Sequence, residues 1–399
     1  MIRTHLAALA GLTLAACAPT AQNEQAELSS WQDVLASEGL TAAEAKLSDR
    51  PESPETSFAL GAVQFLRASE AIMQVRYQNS TTPLEILPGM RNRLPTNPNA
   101  EFDPAFIEIA MTQALEHLDR AETSLEKAAG ETFGLEVSMA NIWFDVNANG
   151  RREDWESALA VMADLNAEPS ADFDGIVRFD SADAHWLKAY VHVMSGMAEL
   201  TLAIDPTSAI KTVHDGRVQM DTFGDVEGMF LNNETIDTLA TVLLTLRGVP
   251  EADRTRAAHQ HFRDMIAENR AFWTAVAAET DNDREWLPNP SQTSAFGVEV
   301  NEEMAQGWQD VLVEIEHLLE GETLIPYWRY NNGYNAETGI GVNLAKFLQD
   351  PGDMDVILWI HGAGAAPYLE TGNLARLRAW DRFAGMTRGD GLMFAAWFN

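Results

Sequence analysis

Apolar and small side chains recur at intervals of three and four residues through most of this chain, and that period constrains the fold more than any other feature. Phe58, Ala62, Phe65, Ser69 and Ile72 form one such stripe, and Ala110, Ala114, Leu118, Ala121 and Leu125 form another. A spacing of three and four keeps residues on one face of a helix, and small residues on that face let two helix axes approach closely. The same period predicts helices at 153–165, 182–204, 235–247, 252–278, 300–320 and 368–384. Asp103 followed by Pro104 offers a start for the helix carrying the second stripe. Strand candidates are few: Val137 to Phe144, Ile176 to Phe179 and Val356 to Ile360. The expected fold is therefore mostly α, an irregular helical assembly with a small β element.

Paired helices with Ala and Gly on their contact faces resemble the helical hairpins of tetratricopeptide scaffolds. No 34-residue repeat is present, and the expected loops at 205–234 and 279–299 break any period. The chain divides into a signal segment over 1–16, a tether over 17–55 carrying a short helix near Trp31 to Leu40, and one helical domain over 56–399. A Pro- and Asn-rich loop interrupts that domain between Asn79 and Glu101.

The first sixteen residues read as a secretion signal. Arg3 and His5 precede an apolar run, Leu6 to Ala16, that is too short to span a bilayer. The run ends in Leu14-Ala15-Ala16-Cys17, which resembles the bacterial lipobox, and Cys17 is the only cysteine of the chain. The resemblance implies lipidation of Cys17, and Ala18 after it implies sorting to the outer membrane, facing the periplasm or the cell surface. A diacyl or triacyl anchor holds a protein stably on a bilayer. With Cys17 lipidated, no disulfide can form.

The most specific chemical signal runs from Asp145 to Glu156, Asp-Val-Asn-Ala-Asn-Gly-Arg-Arg-Glu-Asp-Trp-Glu. Its spacing resembles the EF-hand loop, which wraps oxygen ligands round calcium. The resemblance implies side-chain ligands from Asp145, Asn147 and Asn149 and a backbone carbonyl from Arg151. Glu153 would act directly or through water, and Glu156 would close the site in bidentate fashion. Gly150 permits the sharp turn. Two departures narrow the reading. Arg152 stands where an aliphatic residue pairs one loop with a second, and the chain has no second full loop. Three charged ligands, offset by Arg151 and Arg152, place the affinity for Ca²⁺ on the order of 10⁻⁴ to 10⁻³ M. The expected role is a structural clamp rather than a switch.

Charge excludes one class of partner. Sixty acidic side chains against 27 basic ones give a formal net charge of −33, which repels nucleic acid. Other constellations are weaker. Glu314 and His317 are a lone Glu-x-x-His pair, where di-iron bundles use two. His185 and His192 share a helix face, whereas His259 and His261 point apart, and neither set has the spacing of a zinc helix. Val356 to Gly364 superficially resembles an α/β-hydrolase strand and oxyanion loop, but no nucleophile elbow follows it. Asp281 to Glu285 reads as a solvated loop. The aromatics Tyr327, Trp328, Tyr330 and Tyr334, interleaved with Asn331 and Asn332, suit either loop packing or stacking on a glycan or peptide. The leading expectation is a lipid-anchored, non-enzymatic binding or assembly module. The alternatives are a metal-dependent or carbohydrate-active hydrolase with an unrecognised site, and a helical-repeat lipoprotein beside a transporter.

Overall fold

The computed structural model describes residues 31–79, 95, 97–164, 173–224, 233–330, 332, 336–376, 378–387 and 391–398. The signal run, Cys17, Asn331, Gly333 and Tyr334 lie outside the described residues. The chain is mostly helical, with two small sheets. Among the described residues, no helix is long and apolar enough to cross a membrane.

Three of the long helices of the body come first in the chain. They are α2 (Pro54–Gln78), α3 (Phe106–Glu126) and, later in the chain, α5 (Ser181–Ile204); α1 (Leu40–Ser48) precedes them and α4 (Ala158–Asp164) stands between. Ser53 caps α2 by accepting from the Thr56 N–H, with Pro54 at the first helical position. Asp180 and Asp183 cap α5 reciprocally. The small-residue stripes do what their spacing predicts. Ala110, Ala114, Leu118, Ala121 and Leu125 are all buried, and α3 packs along α2 and α5. Gly61 is required at the first contact, because a Cβ there would lie 2.6 Å from Leu125 Cγ.

β1 (Gly134–Ser138) and β2 (Ile176–Asp180) pair antiparallel, with Val137 opposite Val177. They form the small β element beside the Asp145–Glu156 loop. After α5 come α6 (Thr207–Asp221), α7 (Asn233–Thr245), α8 (Ala252–Ala278) and α9 (Glu302–Leu319). α8 lies along α5. Gly196 on α5 faces Phe262 so closely that a Cβ would meet the ring at 2.7 Å. The C-terminal part holds β3 (Thr323–Pro326), β4 (Thr338–Val342), α10 (Leu344–Gln349), α11 (Val356–His361), β5 (Leu369–Leu374), α12 (Arg378–Met386) and α13 (Gly391–Phe398). β4 runs antiparallel to both β3 and β5, and β3 and β5 pair in parallel, closing a ring of three strands.

Several expectations are corrected. From Trp31 on, the segment expected as a tether over 17–55 belongs to the body. Residues 31–38 are helical, and Trp31, Leu35, Leu40, Ala43 and Leu47 sit in the main core. The stretch Val356 to Ile360 is helical rather than a strand. Asp355 accepts from the Ile357 and Leu358 N–H groups, and Gly362 closes the far end with φ +106°, so two caps outweigh the β-branched composition. The expected loop 205–234 contains α6. The expected helix 368–384 is β5 followed by α12. The expected strand over 137–144 ends at Ser138, and the expected helix over 153–165 begins as a 3₁₀ turn at Asp154–Glu156 before α4.

Candidate functional site

The Asp145–Glu156 loop leaves the body on two strapped feet. Trp143 bridges Ser157, the Phe144 N–H donates to Glu156 O at 2.9 Å, and the Ala158 N–H donates to Ile142 O at 2.9 Å. The segment leading in is therefore extended rather than the helix of an EF-hand. The foot is also tied to the N-terminal helices. Trp143 is fully buried and donates its indole N–H to Leu35 O at 2.8 Å. Gly39, at φ +87°, lies over the ring, where a Cβ would meet Trp143 Cζ2 at 3.0 Å.

Within the loop, side-chain oxygens fold inward on backbone donors. Asp145 Oδ1 accepts from the Asn149 N–H and Asp145 Oδ2 from the Gly150 N–H, each at 2.9 Å. Asn147 Oδ1 accepts from the Asn149 N–H at 3.0 Å, and Asn149 Oδ1 from the Arg151 N–H at 2.7 Å. Ala148 at φ +55° and Gly150 at φ +69° make the turn. Asn147 Nδ2 donates to Glu153 Oε2 at 2.6 Å. Arg152, which an EF-hand pair would need as an aliphatic residue, donates to Ala140 O at 2.8 Å.

Glu156 carries the chemistry. It is fully buried, and its two oxygens accept from the Val146 N–H at 2.9 Å and the Glu153 N–H at 3.0 Å, with the Asn147 N–H as a weaker donor. No cationic side chain among the described residues pairs with it. Burial holds its carboxyl above the ordinary glutamate range, against the pull of those backbone donors. Glu70 joins it from α2, 86 residues earlier. Glu70 is buried, its Oε1 accepts from the Asp145 N–H at 2.8 Å, and burial raises its carboxyl too. Gln74 donates to Asp145 O at 2.7 Å. Four carboxylates therefore crowd one turn with Arg67, 3.4 Å from Glu70, as the nearby cation. A hard divalent cation supplies the charge such a set lacks, and the six sequence-expected residues with Glu70 behind them could hold one.

The same feet face inward onto a cavity of about 220 Å³ lined only by apolar side chains. Ile142, Phe144 and Ala158 come from the loop feet, and Trp31, Phe58 and Trp286 from the surrounding elements. Nothing in the sequence pattern marks this space, because its walls come from six separate segments.

The other expected constellations separate. The Glu314 carboxyl accepts from the Ala379 N–H at 3.1 Å, while His317 lies 3.6 Å from Glu322, so the Glu-x-x-His pair does not converge. His259 engages Leu319 O at 2.6 Å and Gln349 at 2.7 Å, and points away from His261 as the spacing predicts. His185 holds Glu268 at 2.6 Å. His192 and His261, on different helices, do meet: their Nδ1 atoms are 3.1 Å apart. Asp281 and Asp283 are exposed in a loop, as expected, and pair there with Arg178, while Glu285 is buried. Of the aromatic run, Tyr327 is buried and donates to Trp359 O at 2.5 Å. Trp328 is 68% exposed beside an open apolar groove that Tyr327, Phe347 and Trp359 also line. No family model, no curated protein and no solved structure matches this chain.

Proposed function

We propose that this protein is a lipid-anchored binding module of the cell envelope, non-enzymatic, that takes an uncharged apolar molecule into the cavity behind a calcium-clamped loop. One observation carries the reading: the feet of the ion loop, Ile142, Phe144 and Ala158, are also a wall of the 220 Å³ apolar cavity. Protein interiors rarely leave voids this large, and an apolar void stays dry rather than filling with water. At about 24 cal/mol per Å³, an empty cavity of this size costs on the order of 5 kcal/mol. An apolar guest of one or two rings, or a short alkyl chain, recovers part of that cost. The lining offers no polar group for a charged head. The apolar run ending at Cys17 supports the anchor. The unpaired buried carboxylate of Glu156 supports calcium, which would fix the loop and with it the cavity wall. The exposed Trp328 favours a second binding face, where a sugar ring or a peptide side chain stacks in the open groove.

The test is titration with 1-naphthylamine, an uncharged two-ring fluorescent probe, read by energy transfer from the lining tryptophans. Saturable binding that tightens with millimolar calcium is expected, and Ala59→Leu, which fills the cavity, abolishes it while the fold persists. Binding that survives Ala59→Leu unchanged would show that the probe sits elsewhere and would sink the cavity reading.

A further inference from the structure

A second cluster of potential ligand atoms stands away from the loop, where α3, α5 and α8 meet. Glu122 projects from α3, His192 from α5 and His261 from α8, and one ligand atom of each lies within 4.8 Å of the others. His192 is buried, while Glu122 and His261 are half-buried. The two Nδ1 atoms are 3.1 Å apart, and Glu122 Oε2 is 4.0 Å from His192 Nδ1. In a tetrahedral zinc site with bonds of about 2.0–2.1 Å, neighbouring ligand atoms are separated by roughly 3.3 Å. The two nitrogens already hold that separation. The Glu122 side chain, 39% exposed, has the freedom to close the remaining distance.

We propose that Glu122, His192 and His261 bind a late first-row divalent cation, zinc in particular, that cross-links α3, α5 and α8 and keeps a water on its fourth, outward-facing position. Two imidazole nitrogens and one carboxylate suit zinc rather than calcium, which takes oxygens alone. Without a metal, two imidazoles at this distance share a single proton, one nitrogen donating and the other accepting. A cation engages both nitrogens and the carboxylate together. Lys188, one turn before His192 on α5, does not do this work, because it is held by Glu126 and Glu268. His185 is likewise held by Glu268, which keeps it out of the set. The half-exposed faces of Glu122 and His261 leave a path from solvent.

The test is calorimetric titration of the full chain with zinc chloride in calcium-containing buffer, with cobalt(II) absorption as a report of geometry. One saturable zinc per chain is expected, together with the intense visible bands of tetrahedral cobalt. His261→Gln should weaken zinc binding at least about 30-fold and Glu122→Gln about 10-fold. His317→Gln, an exposed histidine elsewhere, should leave it unchanged. The absence of saturable zinc binding at sub-millimolar metal, or affinity undiminished in His261→Gln, overturns the proposal. Circular dichroism of each variant checks that it folds, and the cobalt spectrum of the unsubstituted chain decides the geometry without any variant.

Discussion

At the scale of single residues, Glu156 is the most consequential side chain of the loop. A fully buried carboxylate answered by backbone N–H groups and, among the described residues, by no cationic side chain is costly unless something positive joins it. Millimolar calcium is roughly one to ten times a Kd of 10⁻³ to 10⁻⁴ M and so stabilises by about 0.4–1.4 kcal/mol, which is expected to raise the melting temperature by about one to four degrees. Glu156→Gln should abolish that rise in a thermal scan while leaving the calcium-free protein folded. A calcium shift that persists in Glu156→Gln would remove this residue from the ligand set. Five side chains of the loop and the turn-forming Gly150 were legible in the sequence because ligand spacing is a local property. Glu70 was not, because it reaches the loop from 75 residues away and nothing near it in sequence marks it. The meeting of His192 with His261 was hidden for the same reason. Each histidine sits in an ordinary helical stripe, and only the packing of α5 on α8 brings the two together.

At the scale of elements, three glycines in helices give opposite expectations. Gly61 and Gly196 stand where two helices nearly touch, and an added Cβ would lie 2.6 Å from Leu125 Cγ and 2.7 Å from the Phe262 ring, respectively. Gly216 in α6 has nothing within 4 Å of that position. Gly61→Ala should lower stability by about 1–3 kcal/mol through overpacking, because Leu125 is fully buried. Gly216→Ala should raise it by about 0.5–1 kcal/mol through helix propensity. Urea midpoints of the two variants should therefore move in opposite directions. The long helices were readable because their stripes repeat over many turns. The ring of β3, β4 and β5 was not, since its strands are four to six residues long and two of them carry glycines in place of a β-branched run. The apolar stretch at Val356 misled for a related reason: over six residues, composition cannot outvote Asp355 at one end and Gly362 at the other. The helices after Trp31 looked like a tether because their apolar residues are diluted by Ala and Glu, although the apolar ones are the ones buried.

At the scale of the whole molecule, the excess of 60 acidic over 27 basic residues leaves several carboxylates facing one another. Glu279 shows the effect most clearly. Burial, with Asp180, Glu285 and Asp281 nearby, pushes its carboxyl up to about 7, against a hydrogen bond from Gln292. A carboxyl whose proton is held more tightly in the folded state contributes stability at acid pH and loses it as pH rises from the ordinary glutamate range to about 7. Glu279→Gln should flatten that decline, gaining about 1–2 kcal/mol at pH 7.5 relative to pH 5 once solvent screening of a half-buried group is allowed for. Denaturation midpoints measured at the two pH values check it, and an unchanged difference between them would show that Glu279 is not strained by its neighbours. The molecule also has a mechanical consequence built into the Trp143–Leu35 hydrogen bond. Force applied to the chain ahead of Trp31 passes through the helical residues 31–38, across that bond and into the strapped feet of the Asp145–Glu156 loop. A loop stiffened by an ion would make those feet the last part of this path to yield, so calcium would set how hard the body can be pulled from its N-terminal end before it opens.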